Sequence, residues 1–154
     1  GKAHIWNIIR TILNFKPEGK GTNLSLPLEY LLNIQKRKAT AFLISDFQDT
    51  NYETKLKLAK QKHDLVAISI TDQREESLPN VGLIQLEDAE SGETLLVDTS
   101  DDEMTRQYAR QFREKREKRK TYFHSIGIDT IEIYTNRSLT EPIIRYFKMR
   151  EKKH

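Results

Sequence analysis

Three stretches of the chain have the pattern of strands in the centre of a sheet. Ala39–Ser45 and Asp64–Thr71 are almost continuously apolar, and Thr130–Thr135 places isoleucine at alternate positions. Short apolar runs rich in β-branched residues are typical of strands that are covered on both faces of a parallel sheet. We therefore predict three core strands, with the first two buried on both faces.

Helical periodicity fills the stretches around these strands. The predicted helices are His4–Phe15, a helix from about Asn23, Tyr52–Lys62, Asp101–Ser125 and a last helix that begins after Ser138. Ser138 and Glu141 have the spacing of a capping box, which marks the start of that last helix. Its side chains Leu139, Ile143 and Phe147 are predicted to face inward.

The order of the elements predicts the fold class. Strand, helix and strand in succession, with short connections, form the βαβ unit of parallel sheets. Gly82–Glu87 and Glu93–Val97 flank a turn that contains Asp88 and Gly92, which predicts a β-hairpin. The sequence thus predicts an α/β fold of three layers, a mostly parallel sheet flanked by helices with a hairpin appended. We expect residues 1–154 to belong to a single domain.

The composition is that of a globular domain in a reducing compartment. The chain of 154 residues is 36% hydrophobic and 32% charged, and it contains no cysteine, which excludes disulfides and thiolate metal sites. No apolar run approaches the roughly 20 residues that span a bilayer. We therefore expect a cytoplasmic protein that does not insert into membranes.

The net charge of +3 combines two oppositely charged parts. Residues 72–103 contain eleven acidic side chains and one arginine, a net charge of −10, so the remainder carries +13. Positive charge is densest in residues 110–120, where a helix that binds nucleic acid is one interpretation. Glu114 and Glu117 are interleaved there and no aromatic stacking platform accompanies the cations, so we favour an exposed, self-paired helix.

Thr22 and Asp46 are the candidate metal ligands. Thr22 precedes a predicted helix, and Asp46 follows the first core strand. Open α/β sheets bind ligands at the carboxyl ends of their strands, and hydroxyl and carboxylate oxygens suit Mg²⁺ or Mn²⁺. The alternative is that each residue only caps a turn or a helix. Two protein ligands are few for an octahedral ion, so we expect these residues alone to hold no cofactor or to bind it weakly.

Phe47 and Asp49, in the loop after Asp46, are the candidate partner-binding residues. An aromatic side chain in a polar loop often anchors an interface, and strand-end loops carry binding groups. The alternative for Phe47 is that its ring packs under the following helix. A metal-dependent hydrolase or phosphotransferase is a second candidate function, but the four histidines are scattered and leave Asp46 without a plausible general base.

A series of segments matches one known family in order and spacing. The segments are Gly21–Leu32, Phe42–Phe47, His63–Asp72, Leu78–Gly82, Asp88–Glu93, Val97–Ser100, Gly127–Thr130 and Phe147–Arg150. Together they resemble the bacterial family called domain of unknown function 58. That family has a von Willebrand factor A-like fold and is commonly encoded beside MoxR-type AAA+ ATPases.

This resemblance implies a metal-ion-dependent adhesion site that is built from three loops. Thr22 corresponds to the threonine loop of that site and Asp46 to its aspartate. The third loop, Asp-x-Ser-x-Ser, is absent from the sequence. By the family's layout it lies, with the first strands of the sheet, upstream of Gly1. The resemblance therefore implies the later part of a von Willebrand factor A-like domain, whose full-length parent binds Mg²⁺ or Mn²⁺.

The function that the resemblance implies is protein interaction without catalysis. The expected partner is a MoxR-like AAA+ ATPase or a client protein, and the expected task is the assembly or maturation of other proteins. An Asp or Glu of the partner would complete the coordination of the metal ion. On this interpretation the chain is not an enzyme.

Overall fold

The computed structural model of the chain describes residues 1–16, 21–87 and 92–152. Its helices are α1 (Lys2–Asn14), α2 (Ser25–Ile34), α3 (Glu53–Lys62), α4 (Gln73–Glu76), α5 (Asp102–Ser125) and α6 (Thr140–Glu151). Its strands are β1 (Thr40–Ser45), β2 (Asp64–Thr71), β3 (Leu83–Glu87), β4 (Thr94–Asp98) and β5 (Asp129–Tyr134). The fold is α/β, as the sequence predicts, and the short helix α4 is an addition to the predicted elements.

The central sheet has three parallel strands in the order β1-β2-β5. Phe42 of β1 pairs with Val66 of β2, and Ile68 of β2 pairs with Ile131 of β5. The predicted core strands are confirmed, with β1 and β5 each displaced by one residue at an end. Because β2 is the central strand, its side chains are buried on both faces for most of its length.

One face of the sheet carries the larger core, which α2, α3 and α5 cover. Its buried residues are Leu24, Leu28, Phe47, Tyr52, Leu56, Ala59, Leu65, Ala67, Phe123 and Ile128. Leu56 and Ala59 of α3 belong to this cluster together with Tyr52, which immediately precedes the helix. Burial of this apolar surface is the main favourable term that holds the helices on the sheet.

The other face of the sheet is covered by α6, and the predicted inward side chains of this helix are confirmed only in part. Ile143 packs against the buried cluster of this face, while Leu139 is exposed and its prediction is wrong. The Phe147 ring centroid lies 6.1 Å from that of Phe42 on β1, but the residue remains 44% exposed. The buried residue of the helix is Tyr146, whose hydroxyl donates to Asp129 Oδ2 at 3.0 Å and accepts from Arg150 at 2.7 Å. A tyrosine can thus bury its ring and still bond its hydroxyl.

The predicted capping box of α6 forms only in part. The Glu141 backbone N–H donates to Ser138 Oγ at 3.3 Å, as a cap requires. The Glu141 carboxylate accepts a hydrogen bond from Arg145 at 2.6 Å, one turn further on. An arginine four residues away offers this carboxylate a charged partner on the helix surface.

The expectation that β1 is buried on both faces is wrong. Phe42 and Ile44 point to the face that α6 covers, and they remain 43% and 59% exposed. The reason is topological, because β1 is an edge strand and α6 packs on β2 and β5. The apolar composition of a strand reports its preference for burial and does not report whether a helix covers it.

Helix α1 forms where the apolar periodicity predicts it, but its stripe is not packed against the sheet. None of its side chains is buried, and Ile5, Ile12 and Leu13 are among the most exposed apolar residues of the described chain. The longest described helix, α5, is dominated by charged residues. No helix of the described residues is both long and apolar enough to cross a membrane.

The predicted hairpin is confirmed as an antiparallel pair that is separate from the central sheet. Leu83 of β3 lies opposite Asp98 of β4. Residues 88–91 of the predicted turn lie outside the described residues. Thr99 closes the base of the hairpin, because its buried hydroxyl accepts from the Val81 N–H at 3.0 Å and donates to the Gly82 carbonyl at 2.7 Å.

Candidate functional site

The candidate residues gather where the parallel strands end. The parallel strands β1 and β2 end at Ser45 and Thr71, so Asp46 and Asp72 begin loops at the carboxyl ends of the strands. We use the name carboxyl rim for the loops that follow β1 and β2 together with the loop before α2. Binding groups of open α/β sheets occur at such rims because the loops there converge from several strands.

The carboxylate of Asp46 is exposed and stabilises the first turn of its own loop. Asp46 Oδ1 accepts from the Gln48 N–H and from Ser45 Oγ, both at 3.2 Å. This is the capping role that the sequence leaves as the alternative to metal binding. The two roles are compatible, since an ionised carboxylate has about four lone-pair positions.

Phe47 has a left-handed backbone conformation, with φ of 57°, and its side chain is only 4% exposed. Its ring centroid lies 5.1 Å from that of Phe123 and 6.1 Å from that of Tyr52. These contacts favour the packing alternative for Phe47 over direct contact with a partner. A bulky residue with positive φ is unusual, and such conformations persist only where the surroundings enforce them.

Asp49 joins the two loops that carry the candidate metal ligands. Its Oδ2 accepts from the Leu24 N–H at 2.6 Å, and its Oδ1 accepts from the Thr50 N–H at 2.6 Å. Leu24 lies two residues after Thr22, so this carboxylate brings the loop before α2 against the loop after β1. The role of Asp49 in partner binding remains a prediction, but its structural role is a bridge.

Thr22 is exposed in the loop before α2 and does not cap that helix. The cap is made by the next residue, because Asn23 Oδ1 accepts from the Ser25 N–H at 3.0 Å and from the Leu26 N–H at 3.3 Å. The alternative in which Thr22 serves as the helix cap is therefore wrong.

Arg119 of α5 is a rim residue that the sequence prediction missed. Its Nη1 donates to the Asp46 carbonyl at 2.9 Å and to the Phe47 carbonyl at 3.4 Å, and its Nη2 donates to Ser69 Oγ at 3.1 Å. The guanidinium carbon lies 5.5 Å from the centroid of the Phe47 ring. Burial lowers the pKa of Arg119, and the nearby Tyr52 and other acidic groups oppose that shift.

Arg116 is the second inward arginine of α5. It forms an ion pair with Glu76 and donates to the Tyr134 hydroxyl at 2.6 Å, which connects α5 to α4 and β5. The expectation that residues 110–120 form an exposed, self-paired surface is therefore wrong for Arg116 and Arg119. It holds for Arg110, which pairs with Glu114 at 2.9 Å on the exposed side.

A signal for these two arginines was present in the sequence. Tyr108, Phe112, Arg116, Arg119 and Phe123 follow one another at spacings of four, four, three and four residues, which is one face of a helix. Every one of these side chains is at least partly buried. An arginine between aromatic residues on one stripe buries its apolar stem with them, and only its guanidinium needs polar partners.

Glu75 adds a further carboxylate beside the Asp46 loop. The Gln48 side chain donates to Glu75 Oε2 at 3.4 Å. Burial raises the pKa of Glu75, and the negative charges of Asp46 and Asp72 raise it further. Among residues 1–16, 21–87 and 92–152, no three histidine, aspartate or glutamate side chains are arranged to hold a metal ion. The rim thus offers hard oxygen atoms without a complete coordination set.

The match to a family model covers residues 1–118, which is most of the chain. The chain belongs to the family described as protein of unknown function DUF58. The matched region includes Thr22, Asp46 and Asp49, and it ends one residue before Arg119. The region matched to the DUF58 family therefore includes the loops of the rim, while β5 and α6 lie beyond the matched residues.

Relatives of the chain occur among mycobacterial proteins. It is 28% identical over 155 residues to an uncharacterized protein of Mycobacterium avium, and the match covers 99% of the chain and 91% of that relative. It is 34% identical over 95 residues to an uncharacterized protein of Mycobacterium tuberculosis H37Rv, a match that covers 60% of the chain. That match spans 30% of the longer relative. No solved structure matches the chain.

Proposed function

We propose that the chain is part of a von Willebrand factor A-like domain that binds a protein partner at the carboxyl rim and catalyses no reaction. The observation that carries this proposal is the hydrogen bond between the Leu24 N–H and Asp49 Oδ2 at 2.6 Å. It joins the Thr22 loop to the Asp46 loop, which supports a shared surface for the two candidate ligands although they are far apart in the sequence.

A divalent cation is the group that this surface would present to a partner. A threonine hydroxyl and an exposed aspartate supply hard oxygen ligands for Mg²⁺ or Mn²⁺. In the proposed full-length parent an Asp-x-Ser-x-Ser loop supplies the remaining protein ligands. One coordination position stays open, and a carboxylate of the partner fills it. The 154 residues alone contain two of these ligands and are predicted to bind the ion weakly or not at all.

The proposed partner is a MoxR-type AAA+ ATPase or one of its client proteins, in the assembly or maturation of other proteins. The resemblance to the DUF58 family motivates this choice. The rim is also suited to it chemically, because Asp46 is exposed while Arg119 and Arg116 point inward. The cations next to the loops are thus occupied by carbonyl oxygens and by Glu76, and the outward carboxylates are available to a metal ion.

The two alternative functions have less support in the described residues. A hydrolase or phosphotransferase needs a general base near Asp46. Glu75 lies beside the Asp46 loop and is the candidate for that role, whereas His63 is buried at the start of β2, at the opposite end of the strand. Nucleic-acid binding by residues 110–120 would rest on the exposed cations alone, because Arg116 donates to Tyr134 and Arg119 donates to Ser69. Neither alternative explains why the Thr22 and Asp46 loops are joined.

The test is a binding titration between the purified full-length parent and a MoxR-type ATPase of the same organism, with and without Mg²⁺. We expect Asp46→Ala to abolish the magnesium-dependent part of the affinity. Asp98→Ala is the matched control. Like Asp46, Asp98 is exposed and its carboxylate accepts from the N–H of the second residue after it, here the Ser100 N–H at 2.9 Å. Its substitution should leave the affinity unchanged.

Two results would count against the proposal. Binding that is insensitive to Asp46→Ala, but is lost when the exposed Arg113, Lys115 and Lys120 are neutralised, would place the interface on α5. Turnover of a phosphoester by the purified parent, lost with Asp46→Ala, would support the hydrolase. Arg119 is unsuitable for the neutralisation because it bonds the Asp46 turn, and Arg116 is unsuitable because it is paired with Glu76 and is not part of the exposed surface.

A further inference from the structure

We propose that Arg119 is a positioning residue of the carboxyl rim, which holds the turn at Asp46 and Phe47 in the conformation that turns the Asp46 carboxylate outward. The inference deepens the proposed function and rests on it in one respect, the role of the turn in presenting Asp46 to a metal ion. The backbone of the turn is strained at Phe47, and the Phe47 side chain is buried. Contacts with the rest of the fold must therefore stabilise this conformation, and Arg119 supplies such contacts.

The strain is located at Phe47, where φ is 57°. An L-residue in the left-handed region brings its Cβ close to the backbone, and an aromatic residue gains nothing locally in return. Asn51, at the other end of the same loop, also has positive φ, at 65°. Asparagine tolerates this region and phenylalanine does not, so the conformation of Phe47 must be imposed by its surroundings.

The guanidinium of Arg119 donates hydrogen bonds to the backbone carbonyls before and after the strained residue's Cα, those of Asp46 and Phe47. One nitrogen reaches the carbonyls of Asp46 and Phe47, and the other reaches Ser69 Oγ on β2. The planar group fixes these donors relative to one another, which an ammonium group cannot do. Because Ser69 belongs to the central strand, Arg119 ties the turn to the most rigid part of the sheet.

A purely structural role for Arg119 makes a different prediction from a positioning role. Removing a charge from water is costly, and an apolar residue of similar volume in its place is often neutral or stabilising. Methionine at this position would still pack on the Phe47 ring. We therefore expect Arg119→Met to retain the fold and the melting temperature while the turn loses its conformation. A structural arginine would lose stability and leave the turn unchanged whenever the protein folds.

The experiment is nuclear magnetic resonance on the 154-residue chain. Positive φ brings the amide proton near Hα of the same residue, so Phe47 should give a strong nuclear Overhauser effect between them. In Arg119→Met this signal should weaken. Amide exchange of residues 48–51 should accelerate by about tenfold, since a loop without its anchor opens locally. The control is Arg116→Met, which removes an adjacent guanidinium that contacts Glu76 and Tyr134. It should leave both readouts at wild-type values.

Two further variants keep the test decisive if Arg119→Met does not fold. Arg119→Lys retains the charge without the planar fork, and Ser69→Ala removes the anchor on β2. Each should weaken the Phe47 signal and accelerate exchange in residues 48–51 above the wild-type rate, by less than about tenfold. Unchanged Phe47 signal and unchanged exchange in every folded variant would overturn the proposal.

The outcome is separable from that of the proposed function. If the full-length parent shows no magnesium-dependent binding, the proposed function fails while the resonance data still decide the role of Arg119. If the parent binds and Arg119→Met weakens binding together with the Phe47 signal, both proposals are supported. If Arg119→Met leaves that affinity unchanged although the turn is lost, Arg119 does not position the site and the inference is overturned.

Discussion

The left-handed conformation of Phe47 predicts that glycine is a better replacement than alanine at this position. Both substitutions remove the same buried ring, including its contacts with Phe123 and Tyr52. Removal of a buried phenylalanine ring costs about 3–5 kcal/mol. That loss is common to the two variants and cancels when they are compared. What remains is the backbone term, and at φ of 57° this term favours glycine.

The expected difference is about 1 kcal/mol in favour of Phe47→Gly. Alanine in the left-handed region costs about 1–2 kcal/mol relative to its ordinary conformations. Glycine avoids that cost, but its greater conformational freedom in the unfolded chain lowers the stability of the glycine variant by roughly 0.5–1 kcal/mol. The stabilising contact with the Arg119 guanidinium is absent from both variants, so it does not enter the difference.

Phe123 provides the matched control. It is a buried phenylalanine like Phe47, and it lies inside α5, where the backbone is helical. In a helix interior glycine is about 1 kcal/mol less favourable than alanine. The order of the two variants should therefore reverse between positions 47 and 123, and the two differences should be about 2 kcal/mol apart.

The assay is equilibrium unfolding in urea, followed by circular dichroism, for all four variants. Sodium sulfate can be added equally to each sample if the loss of the ring leaves too little stability to measure. The reasoning is refuted if Phe47→Ala is as stable as Phe47→Gly, or if the same order is found at positions 47 and 123. The first result would mean that the backbone at Phe47 is not held at positive φ, and the second would mean that the backbone conformation does not set the order of the variants.

Two further predictions concern Asp49 and the buried tyrosines. Asp49→Ala should destabilise the fold by about 1.5–3 kcal/mol, the usual value of a hydrogen bond to a charged group, and should accelerate amide exchange at Leu24; unchanged exchange there would show that the two loops are held together by other contacts. Burial raises the pKa of Tyr52 and of Tyr146 to about 12, and the hydrogen bond to Asp129 adds to the shift of Tyr146. The folded state therefore binds these phenolic protons more tightly than the unfolded chain. Their contribution to the free energy of unfolding in urea should be constant below the ordinary tyrosine pKa of 10.0 and should fall as the pH rises toward about 12. In Tyr146→Phe that fall should be shallower, and an equally steep fall would contradict the assignment.

The sequence by itself determined the elements of the fold and their order. The apolar runs and helical periodicities locate the core strands, α3 and α5 because a strand or helix must bury one side, and its sequence must carry that side. Local polar residues set several helix starts in the same way. Asp101 begins α5 by accepting from the N–H groups of Glu103 and Met104, at 2.9 and 3.1 Å. These interactions are local, so the sequence alone is enough to place them.

Only the tertiary structure decided which of these sides are covered. α1 and β1 carry the periodicity of buried elements, yet the stripe of α1 is exposed and β1 is an edge strand. In α6 the tyrosine is buried, with its hydroxyl bonded to Asp129, while Phe147 contacts the edge strand and remains exposed. Periodicity states which side of an element is apolar, and it contains no information on the neighbour that packs there.

The same distinction applies to the candidate site. The sequence predicts the position of Asp46 after a core strand, because parallel strands end on a common side of the sheet and the strand order places the loops there. The sequence does not predict the hydrogen bond from Leu24 to Asp49 or the contacts of Arg119 with the Asp46 turn. They join residues 25 and 73 positions apart in the chain. Such contacts exist only once the helices have packed on the sheet, which is why the tertiary structure alone shows that the rim is one connected unit.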